Sequence, residues 1–135
     1  MVALDTNVLI RFLVQDHAAQ STAARKLVRK CVNEGQTLFV PVTVSLELDW
    51  VLRSNFKFEK QAVVQTLSDL LSSAELSFES ESALELALLQ YAETSADYSD
   101  CLHAALATAA NFGPLWTFDK AAAKVDGAKL LTASP

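Results

Sequence analysis

Glycine and proline are scarce in this chain, with three of each in 135 residues. So few breakers leave little room for linkers, low-complexity stretches or the many tight turns of a β-sandwich. Cysteine is rarer still. Cys31 and Cys101 are too few and too far apart for a disulfide scaffold, and no Cys/His spacing argues for zinc. Long apolar runs are missing too: no segment approaches the ~18 residues that a membrane span needs. The N-terminus has no basic region, and Asp5 and Arg11 interrupt its apolar stretch, so a signal peptide is not expected. The two cysteines are accordingly expected as reduced thiols in a cytoplasmic protein.

Positive charge is absent from a long stretch of the second half. Of the eleven Lys and Arg, eight lie between Arg11 and Lys60, and none lies between residues 61 and 119. The remaining three are Lys120, Lys124 and Lys129. A net charge of −5 argues against holding nucleic acid by charge alone. If the chain meets a polyanion, something must first neutralise the acidic run ending in Glu93, Asp97, Asp100 and Asp119. What is present is ordinary for a folded protein: 51% hydrophobic and 20% charged residues. The length suits a single domain over residues 1–135, burying about 68% of its unfolded surface around one core.

Along the chain, short apolar runs alternate with helical periodicity. VALD reads as a short buried strand and NVLIRFLVQ as a helix leaving it. HAAQSTAARKLVRKCVNEG follows as a helix with Ala24, Leu27, Val28, Cys31 and Val32 on its apolar face, stopped at Gly35. TLFVP is a strand, and TVSLELDWVLRSN and EKQAVVQTLSDLLSS are helices. LSF is a weak strand, ESESALELALLQYAET a helix, and YSDCLHAALATAANFG a helix ended by Gly113-Pro114. LWTF is a strand, DKAAAKV a short helix and KLLTA an edge strand. This alternation predicts an α/β three-layer sandwich with a mainly parallel central sheet. Ligands of such sheets sit beyond the carboxyl ends of the strands.

That edge collects acids. Asp5 closes the first strand and Asp119 closes LWTF. Glu47 follows TLFVP within about two helical turns, and Asp100 lies in the first turn of its helix. Three of these positions admit a purely structural reading. Asp5 or Thr6 can cap the helix at Asn7, Asp119 can cap the next one, and Asp97 with Asp100 has the spacing of a capping box. Glu47, flanked by Leu46 and Leu48, fits no capping pattern, although an exposed helix position stays open to it. Taken together, clustered carboxylates repel one another, and a divalent cation removes that conflict. Mg²⁺ and Mn²⁺ favour carboxylate and water ligands, the equipment for metal-assisted phosphodiester hydrolysis.

The stretches LDTNVLI, VSLEL, DYSDCLHAALA and TFDK, in this order, resemble the PIN domain, and more narrowly the VapC-type ribonuclease toxins of toxin–antitoxin pairs. The resemblance runs from Val2 to Leu131. It implies that Asp5, Glu47, Asp100 and Asp119 are the catalytic residues and bind Mg²⁺ or Mn²⁺, with Asp97 as an additional ligand or only a cap. Asn7 and Thr117 match positions that orient the acids. The resemblance also implies an RNA substrate, a small antitoxin partner and a homodimer. Arg11, Arg53, Lys120 and Lys124 are candidate phosphate contacts, and His103, one turn beyond Asp100, reads as packing or solvated rather than catalytic. The group from Arg25 to Lys30 reads as a solvated face, with an RNA track as the alternative. Trp50, Trp116 and the phenylalanines read as core.

Three rival readings follow from the same residues. A receiver-like signalling domain wants adjacent acids after the first strand, where Asp5-Thr6 stands, and a phosphoacceptor after the third, which LSFES lacks. A haloacid-type phosphatase wants a second Asp where Asn7 stands. A non-catalytic PIN-like scaffold, its acids mainly caps, is opposed by intact acids at all four positions.

Overall fold

Short apolar segments form the strands and amphipathic ones the helices, in the predicted order. The computed structural model describes residues 2–132. Strand β1 (Val2–Ala3) leads into helices α1 (Thr6–Leu13) and α2 (Ala18–Asn33), and β2 (Leu38–Val40) into α3 (Val42–Ser54) and α4 (Lys60–Leu71). Strand β3 (Leu76–Phe78) leads into α5 (Glu81–Glu93) and α6 (Tyr98–Ala109), and β4 (Leu115–Thr117) runs through a turn to β5 (Ala128–Leu130). Ala133, the last residue of the expected edge strand, and the outer ends of the expected domain lie outside the described residues.

All bonded strands are parallel, as the βαβ alternation requires. Their hydrogen bonds form two sheets, one of three strands in the order β1-β2-β3 and one of two, β4-β5. Strand β1 is less buried than its sequence suggests. Val2 is half-buried and Ala3 exposed, and burial begins at Leu4, whose N–H donates to the Phe39 carbonyl at 2.9 Å. The segment DKAAAKV gives only a 3₁₀ turn at Ala122–Lys124, because so short a stretch cannot offset helix nucleation.

Each inward stripe joins one continuous core of Leu9, Leu38, Leu48, Leu52, Leu67 and their neighbours. Helix α2 contributes Ala24, Val28 and Cys31 to the interior. Val32, expected on that face, sits at its rim and is exposed. The helix closes as expected at Gly35, whose φ of +72° suits glycine and lets Gln36 N–H reach the Cys31 carbonyl at 2.8 Å. Small residues Ala83 and Ala87 of α5 and Ala104 and Ala105 of α6 are buried where these helices pack closely. That packing, with the Tyr91 and Tyr98 rings 5.5 Å apart, fixes the start of α6.

The core reading of the two tryptophans is wrong. Trp50 is 60% exposed and Trp116 is 53% exposed. On α3, Leu48 and Leu52 are the buried pair, four residues apart, which turns Trp50 to solvent. On β4, Leu115 and Thr117 share the half-buried face, so strand alternation points Trp116 outward. Phe112 and Phe118 are likewise exposed, whereas Phe78 is buried as expected.

Cys31 and Cys101 are both free and buried. Among the described residues, no helix is long and apolar enough to cross a membrane.

Candidate active site

Asp5 takes the N-cap of α1 with extended backbone, its Oδ1 accepting the Thr6 N–H at 2.6 Å. The carboxylate therefore stays exposed at the positive end of the helix. Thr6 is buried, and its hydroxyl donates to Glu47 Oε1 at 3.0 Å. This bond ties the Asp5 turn to α3 across 41 residues of sequence. Helix α3 is itself anchored from another element. Pro41 supplies no side-chain cap, and Glu79, just past β3, accepts the Val42 N–H at 2.8 Å instead.

At the start of α6, Asp97 is the N-cap residue and Asp100 lies in the first turn, but the Asp97 side chain makes no capping bond. The capping box suggested by their spacing is not formed. Asp119 does cap: its Oδ1 accepts the N–H groups of Ala121 at 2.8 Å and Ala122 at 3.3 Å. Its own N–H donates to Thr117 Oγ1 at 3.0 Å.

Asp100 is the electrostatic centre of this edge. Burial holds its carboxyl above the usual carboxylate range, and the negative charges of Asp97 and Asp119 add to the effect. His103, one turn along the helix, acts in the opposite direction. Glu47 and Asp97 line one groove of about 460 Å³, together with Asp49, Trp50, Arg53 and Ser99. The acids are therefore linked in sequence: Asp5 to Glu47 through Thr6, Glu47 to Asp97 through the groove, and Asp97 to Asp100 and Asp119 through their fields.

Among the described residues, no three Asp, Glu, His or Cys side chains stand close enough to hold an ion as they are. The chemistry of the donors still suits a hard divalent ion. They are carboxylate oxygens, and at Asp100 burial and then the charges of Asp97 and Asp119 oppose ionisation, a conflict that a cation would relieve.

The sequence model of the PIN domain matches residues 2–128. The chain belongs to the PIN domain family. A protein of Aquifex aeolicus (strain VF5) named VapC ribonuclease is 26% identical over 102 residues, a span covering 76% of this chain and 75% of that relative.

Around the acids of this PIN domain, the other candidates divide by their partners. The Thr117 hydroxyl oxygen accepts the backbone N–H of Asp119. Asn7 lines a separate cleft between α1 and α2, alongside Arg11 and Leu27. Arg11 is bound to Asp16 at 2.8 Å and to Gln20 at 2.7 Å. Arg53 holds Asp49 through both guanidinium branches, Nε to Oδ1 at 3.1 Å and Nη2 to Oδ2 at 2.8 Å. Asp49 is buried, and the hydrogen bond it accepts is the main cause that raises the Arg53 pKa. Tyr91 lies beside the same carboxylate; burial first, then the Asp49 charge, push its phenol up to about 12. Lys120 and Lys124 are exposed, as are Arg25, Lys26, Arg29 and Lys30, the solvated face that was expected.

Two functional candidates, Thr6 and Asp49, escape the sequence reading. The four-residue spacing of Asp49 and Arg53 is a usable helix-pair signal. Nothing local marks Thr6, because its partner lies on another helix.

Proposed function

We propose that this chain is a divalent-metal-dependent endoribonuclease, the toxin of a toxin–antitoxin pair, in which Asp5, Glu47, Asp100 and Asp119 bind the metal and Asp97 is a further ligand. The observation that carries this reading is Asp100, whose proton affinity is raised first by burial and then by the charges of two other acids, Asp97 at the N-cap of its helix and Asp119 beyond β4. Membership of the PIN family and likeness to a VapC ribonuclease support it.

Mg²⁺ or Mn²⁺ bound there supplies positive charge to the phosphate and a water of lowered pKa. The chain's own residues do the rest. Thr6 fixes the Glu47 carboxylate by donating to it. Thr117 fixes the turn that presents Asp119. Asp100, half-shielded from water, keeps a charge that only a cation offsets well. The phosphodiester is cut by water, so the site needs no nucleophilic side chain, and His103 is not assigned one. Lys120 and Lys124, next to Asp119 in sequence, are assigned to substrate phosphates. The protein acts as a single-domain homodimer in the cytoplasm, restrained by a small antitoxin.

A second reading keeps the fold without the activity, and the two cap bonds of Asp119 favour it. RNA cleavage by the purified, partner-free protein separates the two. It is run with Mn²⁺, with Mg²⁺ and with chelator, beside Asp5→Asn and Asp100→Asn variants that still melt cooperatively. Metal-dependent cuts lost in both variants are expected. Absence of cleavage, with no metal-induced rise in melting temperature, would leave Asp5 and Asp119 as caps and the other acids without a metal.

A further inference from the structure

Trp116 and Phe118, two of the aromatic residues that the core does not use, stand beside Asp119 in sequence. Strand register pairs Trp116 with Lys129 and Thr117 with Leu130. Thr117 and Leu130 are half-buried, whereas Trp116 and Lys129 are exposed, so one face of the β4-β5 ladder turns outward. Phe118 and Leu131 continue it: Phe118 is 70% exposed and Leu131 is 43% exposed. Large apolar groups exposed together mark a contact surface rather than ordinary decoration.

Charge identifies the occupant. Lys120, Lys124 and Lys129 are the three cations of the chain beyond residue 60, all are exposed, and all fall within this segment. Lys129 Nζ lies 5.4 Å from the centre of the Trp116 ring. The acids of the same segment are Asp119, engaged in its cap, and Asp126, which accepts from Gln90 Nε2 at 3.1 Å. Exposed aromatic rings interleaved with lysines are the surface that binds unpaired nucleotides, bases stacking on rings and phosphates meeting cations.

We propose that the outward face of β4 and β5, with Trp116 and Phe118 as stacking platforms and Lys129 as the phosphate contact, binds single-stranded RNA leading into the acidic site. This rests on the ribonuclease reading and adds to it a surface on which the unpaired substrate strand would lie. A helical duplex keeps its bases stacked on one another and offers the rings nothing.

The test uses the full chain with Trp50→Phe, leaving Trp116 as the sole indole, and Asp100→Asn to suppress cleavage, in Mg²⁺. Oligouridylate and a duplex of equal length are titrated while indole fluorescence and labelled-RNA anisotropy are followed. The single strand is expected to quench Trp116 emission. Trp116→Ala is expected to weaken its binding about 5- to 150-fold, with Trp116→Phe recovering most of the loss. Lys129→Gln should lower the salt slope of binding by about one. Equal binding by Trp116→Ala, or duplex bound as tightly as single strand, overturns the proposal. So does unchanged RNA binding accompanied by a dimer-to-monomer shift in sedimentation, which would assign the face to a second copy of the chain. A wild-type protein that cuts RNA while Trp116→Ala binds and cuts equally well overturns this proposal alone. A protein that neither binds nor cuts any RNA overturns the nuclease reading with it.

Discussion

Thr6 shows how one hydroxyl can serve a site it does not itself form. It is buried and donates to Glu47, so removing it frees the carboxylate without adding charge. Thr6→Val is expected to cost about 1 kcal/mol of stability, the value of one hydrogen bond; if Glu47 binds the metal as proposed, it should also lower cleavage about 10- to 100-fold, as losing a group that orients a ligand does. Thermal unfolding and cleavage rates, measured together, check both parts. Asp100 offers a second test that needs no RNA. Its folded pKa is raised by burial and by the charges of Asp97 and Asp119, so the folded chain holds that proton more tightly than the unfolded chain. The stability linked to it is present at low pH and is lost as pH rises through the folded value. In chelator at neutral pH, Asp100→Asn should therefore melt above the wild type. The difference should shrink as pH falls below the usual carboxylate range. A variant that melts lower at neutral pH would remove the repulsion argument.

Helix α3 carries three different jobs on one set of turns. Leu48 and Leu52 face the core, Glu47 reaches Thr6, and Asp49 is buried under Arg53. The Asp49–Arg53 pair is unequal, the Asp49 side chain being 4% exposed and that of Arg53 39% exposed. Removing the arginine strands a buried carboxylate, whereas the arginine left alone can return to water. Arg53→Ala should cost about 3 kcal/mol, and the double variant Asp49→Leu, Arg53→Met should recover most of that loss. Chemical denaturation of the three proteins decides it. A loss below about 0.5 kcal/mol in Arg53→Ala would show the pair to be an ordinary surface contact.

For the molecule as a whole, the packing sorts residues by position rather than by hydrophobicity. Leu48 and Trp50 are two residues apart; Leu48 is fully buried and Trp50 is 60% exposed. Leu48→Ala should cost about 2–5 kcal/mol, and Trp50→Ala should stay within about 0.5 kcal/mol. Both are read from one cooperative unfolding transition, itself the expectation for a single domain. Two separate transitions would divide the chain. The charge of the whole follows the same logic: under the function proposed above, a chain of net −5 with an acidic edge would depend on a cation, and on the lysines beyond Asp119, to approach a polyanion.

The sequence by itself determined the order of strands and helices and the positions of the acids. Both are local facts: periodicity marks an element, and Asp5, Asp97 and Asp119 stand at junctions that turn chemistry makes visible. Gly35 ends α2 where it should, for the same reason. Only the tertiary structure decided which of two apolar faces is covered, because periodicity names a face without naming its partner. Trp50 and Trp116 fit apolar patterns, yet nothing packs against them deeply enough to bury them. The Thr6–Glu47 bond, the Glu79 cap on α3 and the field of Asp119 at Asp100 likewise join residues far apart in sequence. Their energies depend on distances that the folded chain alone sets.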